Sequence, residues 1–258
     1  RQMCIRDRFY MKIAVLSDIH GNLLALESVL EDIQSKNCDK ILFLGDYALA
    51  GPEPTDTVNF CMSLSEHDNV EMIQGNTDKM IVEFSEDIYQ KVAQGAPIMA
   101  NALREEANTL GEKQKQFLKE LPTTKSLTID DVKILMVHGS PRRNNEDIMP
   151  DTPLEKVEEM LSGVNEDLIL CGHTHIPCGF QTNTKQTVVN VGSVGRPFTE
   201  NPESCYAIIS TKGNGEFEVE HNFVKYDNIQ AAKTLSERSF EGADKLAHIL
   251  ISPKHRHI

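Results

Sequence analysis

Residues 13–22 read IAVLSDIHGN. Ile13–Leu16 is a short apolar, partly β-branched run, the pattern of a buried strand. It runs directly into Ser17-Asp18-Ile19-His20, so a carboxylate and an imidazole stand just past its carboxyl end. Gly21 then allows a sharp turn and a close approach of backbone to a ligand. The same arrangement recurs along the chain. Ile41–Leu44 runs into Gly45-Asp46, Val70–Ile73 into Gly75-Asn76, Val132–Val137 into His138-Gly139, and Leu168–Leu170 into Gly172-His173-Thr174-His175. Loops that follow parallel strands share one rim of a sheet, so side chains from distant segments converge there.

The converging residues are Asp18, His20, Asp46, Asn76, His138, His173 and His175: two carboxylates, one amide and four imidazoles. These are oxygen and nitrogen donors without sulfur, the set that suits two divalent ions such as Mn, Fe or Zn. Asp46 has two oxygens and can bridge such a pair, and Asn76 offers a neutral oxygen. Ions ~3.5–4 Å apart acidify a shared water and clamp both oxygens of an in-line displacement.

Between these motifs the periodicity alternates. Leu26, Val29, Leu30 and Ile33 fall on one face of a helix from about Leu23, and Thr55–Ser65 is predicted helical behind Pro54. Strand, helix, strand, helix, strand implies parallel pairing with crossovers. Residues 77–121 are polar and helical in pattern, broken at Gly95 and Pro97, and read as an insertion over one edge of the core that walls the substrate site. From Ser126 the pattern is β-rich, with Asp130-Asp131 as a hairpin turn. Thr152-Pro153-Leu154-Glu155 reads as a capping box opening a helix. Residues 229–239 read as helix, and 241–258 as a polar tail of low order. Residues 1–10, RQMCIRDRFY, look foreign to the rest, with Met11 as the native start. One domain over residues 11–240 fits the length.

A net charge of −13 argues against long nucleic acid or an anionic membrane as partner and leaves a small phosphorylated substrate open. No run approaches the ~20 apolar residues that span a bilayer. Cys4, Cys38, Cys61, Cys171, Cys178 and Cys205 form no C-x-x-C pair, which points to a reducing, cytoplasmic setting. Cys171 reads as core.

On the motifs quoted above, with Gly75-Asn76-Thr77-Asp78 and Asn190-Val191-Gly192-Ser193-Val194-Gly195, the chain resembles the calcineurin-like metallophosphoesterases. Within them it is similar to the small prokaryotic branch that includes YfcE-type phosphodiesterases. The resemblance covers about residues 11–227. It implies an α+β fold, a four-layer αββα sandwich of two mixed sheets flanked by helices. It assigns one ion to Asp18, His20, Asp46 and His175 and the other to Asp46, Asn76, His138 and His173. The implied reaction is attack of a bridging hydroxide on a phosphoester, most naturally a diester of a small molecule or nucleotide. Many members carry His after the Gly-Asn pair; this chain has Thr77, which cannot act as an acid near neutral pH. Alternatives are a protein or nucleoside-polyphosphate phosphatase, or a binding scaffold on the same fold.

Other polar residues carry two readings each. Asn22 is either an N-cap or a phosphate contact. Arg142 is a candidate substrate-binding residue because guanidinium binds phosphate bidentately; Arg143 and Arg196 are weaker candidates. Gly192–Gly195 reads as a tight turn. His67, His221 and His248 read as surface residues, and His255 and His257 as part of the tail.

Overall fold

The computed structural model describes residues 10–253. Residues 1–9 of the segment 1–10 read as a leader, and His255 and His257 read as tail, lie outside the described residues. In chain order the elements are β1 (Lys12–Leu16), α1 (Leu23–Ser35), β2 (Lys40–Phe43), α2 (Pro54–Leu64) and β3 (Val70–Met72). Then come α3 (Asn76–Val82), α4 (Glu86–Gly95), α5 (Pro97–Thr109) and α6 (Glu112–Glu120). The second half holds β4 (Thr124–Ile129), β5 (Val132–Val137), α7 (Leu154–Met160), β6 (Leu168–Cys171), β7 (Cys178–Gln181), β8 (Thr187–Asn190), β9 (Ser204–Gly213), β10 (Glu216–Val224), α8 (Asn228–Ser236) and α9 (Ala243–Ile251).

Two five-stranded sheets form, ordered β10-β9-β1-β2-β3 and β4-β5-β6-β8-β7. The central strands are parallel, β1–β2–β3 in one sheet and β5–β6–β8 in the other. Antiparallel strands flank them, so both sheets are mixed. Alternation along each strand sorts the core. Ile13 and Val15 face Ile134, Met136, Leu168 and Leu170 of the opposite sheet. Ala14 and Leu16 face Leu26, Val29 and the other helices. On the far side, Val137, Ile169 and Val188 meet Val157 and Met160 of α7. Helices, sheet, sheet and helix stack as the four layers expected from the sequence, with the second outer layer reduced to α7.

The 77–121 segment is helical and divides at Gly95 and Pro97, as read. It is built into the helical layer: Leu103, Leu110 and Leu118 join the same core as α1, and Gln74 donates to the Leu118 carbonyl. Asp130 and Asp131 both take positive φ, the backbone of a tight β4–β5 hairpin turn.

Three expectations are corrected. Residues 241–258 are not simply a tail: α9 buries Ala243, Leu246, Ala247 and Leu250 at i, i+3, i+4 and i+7 within the core shared with α8. Thr152 does not cap α7, because its hydroxyl accepts from the Met149 amide and Pro153 takes the capping position. His221 is half-buried and bonds through Nε2 to the Asn190 carbonyl, whereas His67 and His248 are exposed.

Candidate metal centre

The motif loops meet at the carboxyl ends of β1, β2, β5 and β6. Asp18, His20, Asp46, His173 and His175 all adopt positive φ, between 48° and 68°. Left-handed backbone is uncommon for residues other than glycine and is held only where surroundings over-determine it. Here Asp18 N donates to Gly45 O, His20 N to Asp46 O and Gly21 N to Tyr47 O. Asp78 adds a buried brace, accepting the amides of Asp46, Tyr47 and Gly75, which locks the Gly45-Asp46 and Gly75-Asn76 turns together. Burial and the neighbouring Asp46 charge push the Asp78 carboxyl up to about 6.

Each carboxylate is divided between anchoring and presenting. Asp18 Oδ2 accepts the His173 amide, and Asp46 Oδ1 accepts the Thr77 amide. The other oxygens face the imidazoles: Asp18 Oδ1 is 3.2 Å from His175 Nε2, and Asp46 Oδ2 is 3.3 Å from His138 Nε2 and 3.8 Å from His20 Nε2. The histidines are oriented in the same way. Nδ1 of His20, His138 and His175 bonds to the carbonyls of Leu49, Leu44 and Arg196. A carbonyl can only accept, so Nδ1 carries a proton and the Nε2 of each ring turns inward, ready to bind a cation once any proton on it has left.

A cation fits this arrangement. His20 Nε2 and His175 Nε2 stand 3.1 Å apart, and two neutral rings protonated at Nδ1 cannot bond to each other there. Asp18 Oδ1, Asn76 Oδ1 and His138 Nε2 are buried without a hydrogen-bond partner. Orphaned buried polar atoms are costly unless something else satisfies them. Two donors ~2.1 Å from one ion lie about 3.0–3.4 Å apart. The donor pairs at 3.1, 3.2 and 3.3 Å match that edge. Asp18, His20 and His175 form one group of potential ligands, and Asp18, Asp46 and His138 a second.

His173 stands at the margin. Its ring lies 5.2 Å from that of His138, and its Nε2 faces Asp147 Oδ1 at 3.2 Å. Sequence reading missed Asp147, an acidic residue in a polar loop with no motif around it. Asn22 is corrected as a substrate-binding residue: it is fully buried, caps α1 by accepting from Ala25, and donates to Gly195 O and Tyr226 Oη. Arg142 lines a cavity of about 320 Å³ beside His138, together with Lys79 and Arg143. Its Nε and Nη2 grip Glu146.

Residues 11–214 match the calcineurin-like phosphoesterase superfamily domain. The chain belongs to this superfamily. Uncharacterized protein MJ0912 of Methanocaldococcus jannaschii is 30% identical over 232 residues, covering 83% of this chain and 88% of that protein. The crystal structure of hypothetical protein PH1004 from Pyrococcus horikoshii superposes with a TM-score of 0.83 at 22% identity, covering 94% of this chain and 98% of that one. A metallophosphoesterase structure from Sphaerobacter thermophilus gives 0.72 at 23% identity, covering 93% and 98%. As a calcineurin-like phosphoesterase, the chain falls in a metal-dependent family of phosphoric ester hydrolases, and the grouped carboxylates and imidazoles are its candidate ligands.

The charges of this phosphoesterase bear on metal uptake. Burial alone would raise Asp46, but His138 and His20 outweigh it and bring the carboxyl down to about 2. Burial would lower His138, yet Asp46 and Asp18 drive it up to about 10. Burial takes His175 down to about 4 against the pull of Asp18. The metal-free cluster therefore holds a proton on His138 at neutral pH, and a cation must displace it. Metal uptake at pH 7 is expected to release at least about one proton, and affinity to rise with pH up to about 10. Calorimetry in buffers of different ionisation enthalpy checks this; uptake with no proton released would contradict it.

Proposed function

We propose that the protein hydrolyses phosphoesters of small molecules, diesters foremost, with two divalent ions in this centre. The orphaned Asp18 Oδ1, Asn76 Oδ1 and His138 Nε2, together with the facing Nε2 atoms of His20 and His175, carry the reading. One ion falls to Asp18, His20, Asp46 and His175, the other to Asp46, Asn76, His138 and His173, with Mn, Fe or Zn all suited to the donors. When bound, the ions supply Lewis acidity and an acidified water for attack on phosphorus.

The protein's own groups do the rest. Anchored carboxylates and carbonyl-bound imidazoles preorganise the site, so little reorganisation is needed during reaction. Lys79 and Arg143 line the cavity beside His138 and bring positive charge to it for the phosphate, while Arg142, also in its wall, is held by Glu146. Its size, about 320 Å³, favours a small ester over a protein surface. Thr77 supplies no acid, so departure of poor leaving groups is slow. Among the described residues no helix is long and apolar enough to cross a membrane. The five described cysteines are free, which supports a cytoplasmic setting.

Chelator-stripped protein given Mn is expected to cleave p-nitrophenyl phosphate and, faster, bis(p-nitrophenyl) phosphate, and to be inactive without metal. No metal-dependent turnover of either ester would sink the proposal.

A further inference from the structure

A second cavity, of about 280 Å³, lies where the α4–α5 junction meets α9. Its walls include Ile98, Met99, Leu246 and Ile249, and Arg196 with Lys245 brings positive charge to it. Arg196 is the unusual member. Arg104, Arg142 and Arg238 each meet a carboxylate, and Arg143, which forms no ion pair among the described residues, is exposed. Arg196 is half-buried, and no carboxylate pairs with it among the described residues. Its Nη1 rests 3.2 Å from the Met99 sulfur, a weak acceptor, and its guanidinium lies 5.6 Å from the Phe198 ring centre. Burial pulls it down to about 10, as expected of a cation removed from water without compensation.

The same residue reaches the metal centre. The Arg196 carbonyl holds His175 Nδ1, and the Phe198 ring stacks on the His175 imidazole at 5.0 Å. The Phe198 ring thus neighbours both the unpaired guanidinium and a metal-ligand candidate. We propose that this cavity is a subsite for the non-reacting end of the substrate, an apolar body carrying a second anionic group that pairs with Arg196. This deepens the phosphoesterase reading and rests on it. A neutral apolar body would leave the guanidinium unpaired, and a bare anion would leave the apolar wall empty.

The chain contains no Trp, so Ser252→Trp at the exposed cavity rim supplies a single fluorescent reporter. With the metal-loaded protein, octane-1-sulfonate is expected to bind at least tenfold tighter than octan-1-ol or methanesulfonate. Adding Arg196→Gln is expected to remove that preference, and Arg196→Lys to restore part of it. In parallel, 4-nitrophenyl 6-carboxyhexyl phosphate is expected to show a KM at least tenfold below that of 4-nitrophenyl methyl phosphate, with similar kcat. Arg196→Gln should erase that KM difference. Equal binding of the three probes overturns the subsite, and needs no variant at Arg196. So does a sulfonate preference that survives Arg196→Gln, or a tailed ester with no KM advantage. If neither ester is cleaved, the phosphoesterase reading itself fails and the assignment falls with it. If the methyl ester is cleaved and the tail gains nothing, the subsite alone is wrong.

Discussion

Asp46→Asn is expected to lower phosphoester turnover by roughly 10³-fold or more, and to reduce the bound metal from two ions to one or none. The geometry gives the reason. The Thr77 amide donates to Asp46 Oδ1 and fixes which end of the side chain remains an acceptor. An asparagine keeps its oxygen there and turns its NH2 toward His138 and His20, where Asp46 Oδ2 now stands 3.3 and 3.8 Å from their Nε2 atoms. A donor replaces an acceptor at the point that the two proposed ligand sets share. The charge that would hold a cation beside two imidazoles disappears with it. Steady-state rates with bis(p-nitrophenyl) phosphate and elemental analysis of the same sample check both parts. Wild-type turnover with full metal content would mean that Asp46 does not bridge.

Gly195→Ala is expected to destabilise the fold by about 3 kcal/mol or more. A methyl at Gly195 would lie 1.7 Å from the Ile19 carbonyl oxygen and 3.0 Å from Asn22 Cβ. The closer contact is with backbone, so no rotamer relieves it. The segment is also stitched in place, because Gly195 N donates to Asp18 O and Asn22 Nδ2 donates to Gly195 O. Relief therefore requires moving the loop that carries Asp18 and His20. Thermal unfolding should fall by about 6–12 °C for a chain of this size. A fall below about 2 °C would show that the loop yields easily and that the site is not rigidly held.

Much of this fold was legible because its signals are local. Short apolar runs ending at Asp18, Asp46, Asn76, His138 and His173 announce strands that end at candidate ligands, and the structure places those ends at one rim. The alternation of Ile13 and Val15 with Ala14 and Leu16 separates the two sides of a buried sheet. Less was legible where a role depends on a distant partner. Asn22 could be read as a phosphate contact until Gly195 and Tyr226 were seen to consume its amide. Asp78 sat inside a motif, yet its work on Tyr47 and Asp46 needs two turns to meet. Arg196 followed a glycine-rich turn, and only the packing of α5 and α9 shows that its guanidinium meets no carboxylate among the described residues. The helix α9 was hidden because its apolar stripe, Ala243, Leu246, Ala247 and Leu250, is short and set among polar residues. His173 carried the same sequence signal as His175, but its Nε2 faces Asp147 rather than the central cluster.

The most direct measurement is to strip the wild-type protein with chelator, reload it with Mn, count the ions and locate them by anomalous scattering. Two ions per chain are predicted, about 3.5–4 Å apart on either side of Asp46 Oδ2, with His20 and His175 on one and His138 on the other. A chain that takes up no metal, or binds it away from Asp18 and Asp46, would contradict the account.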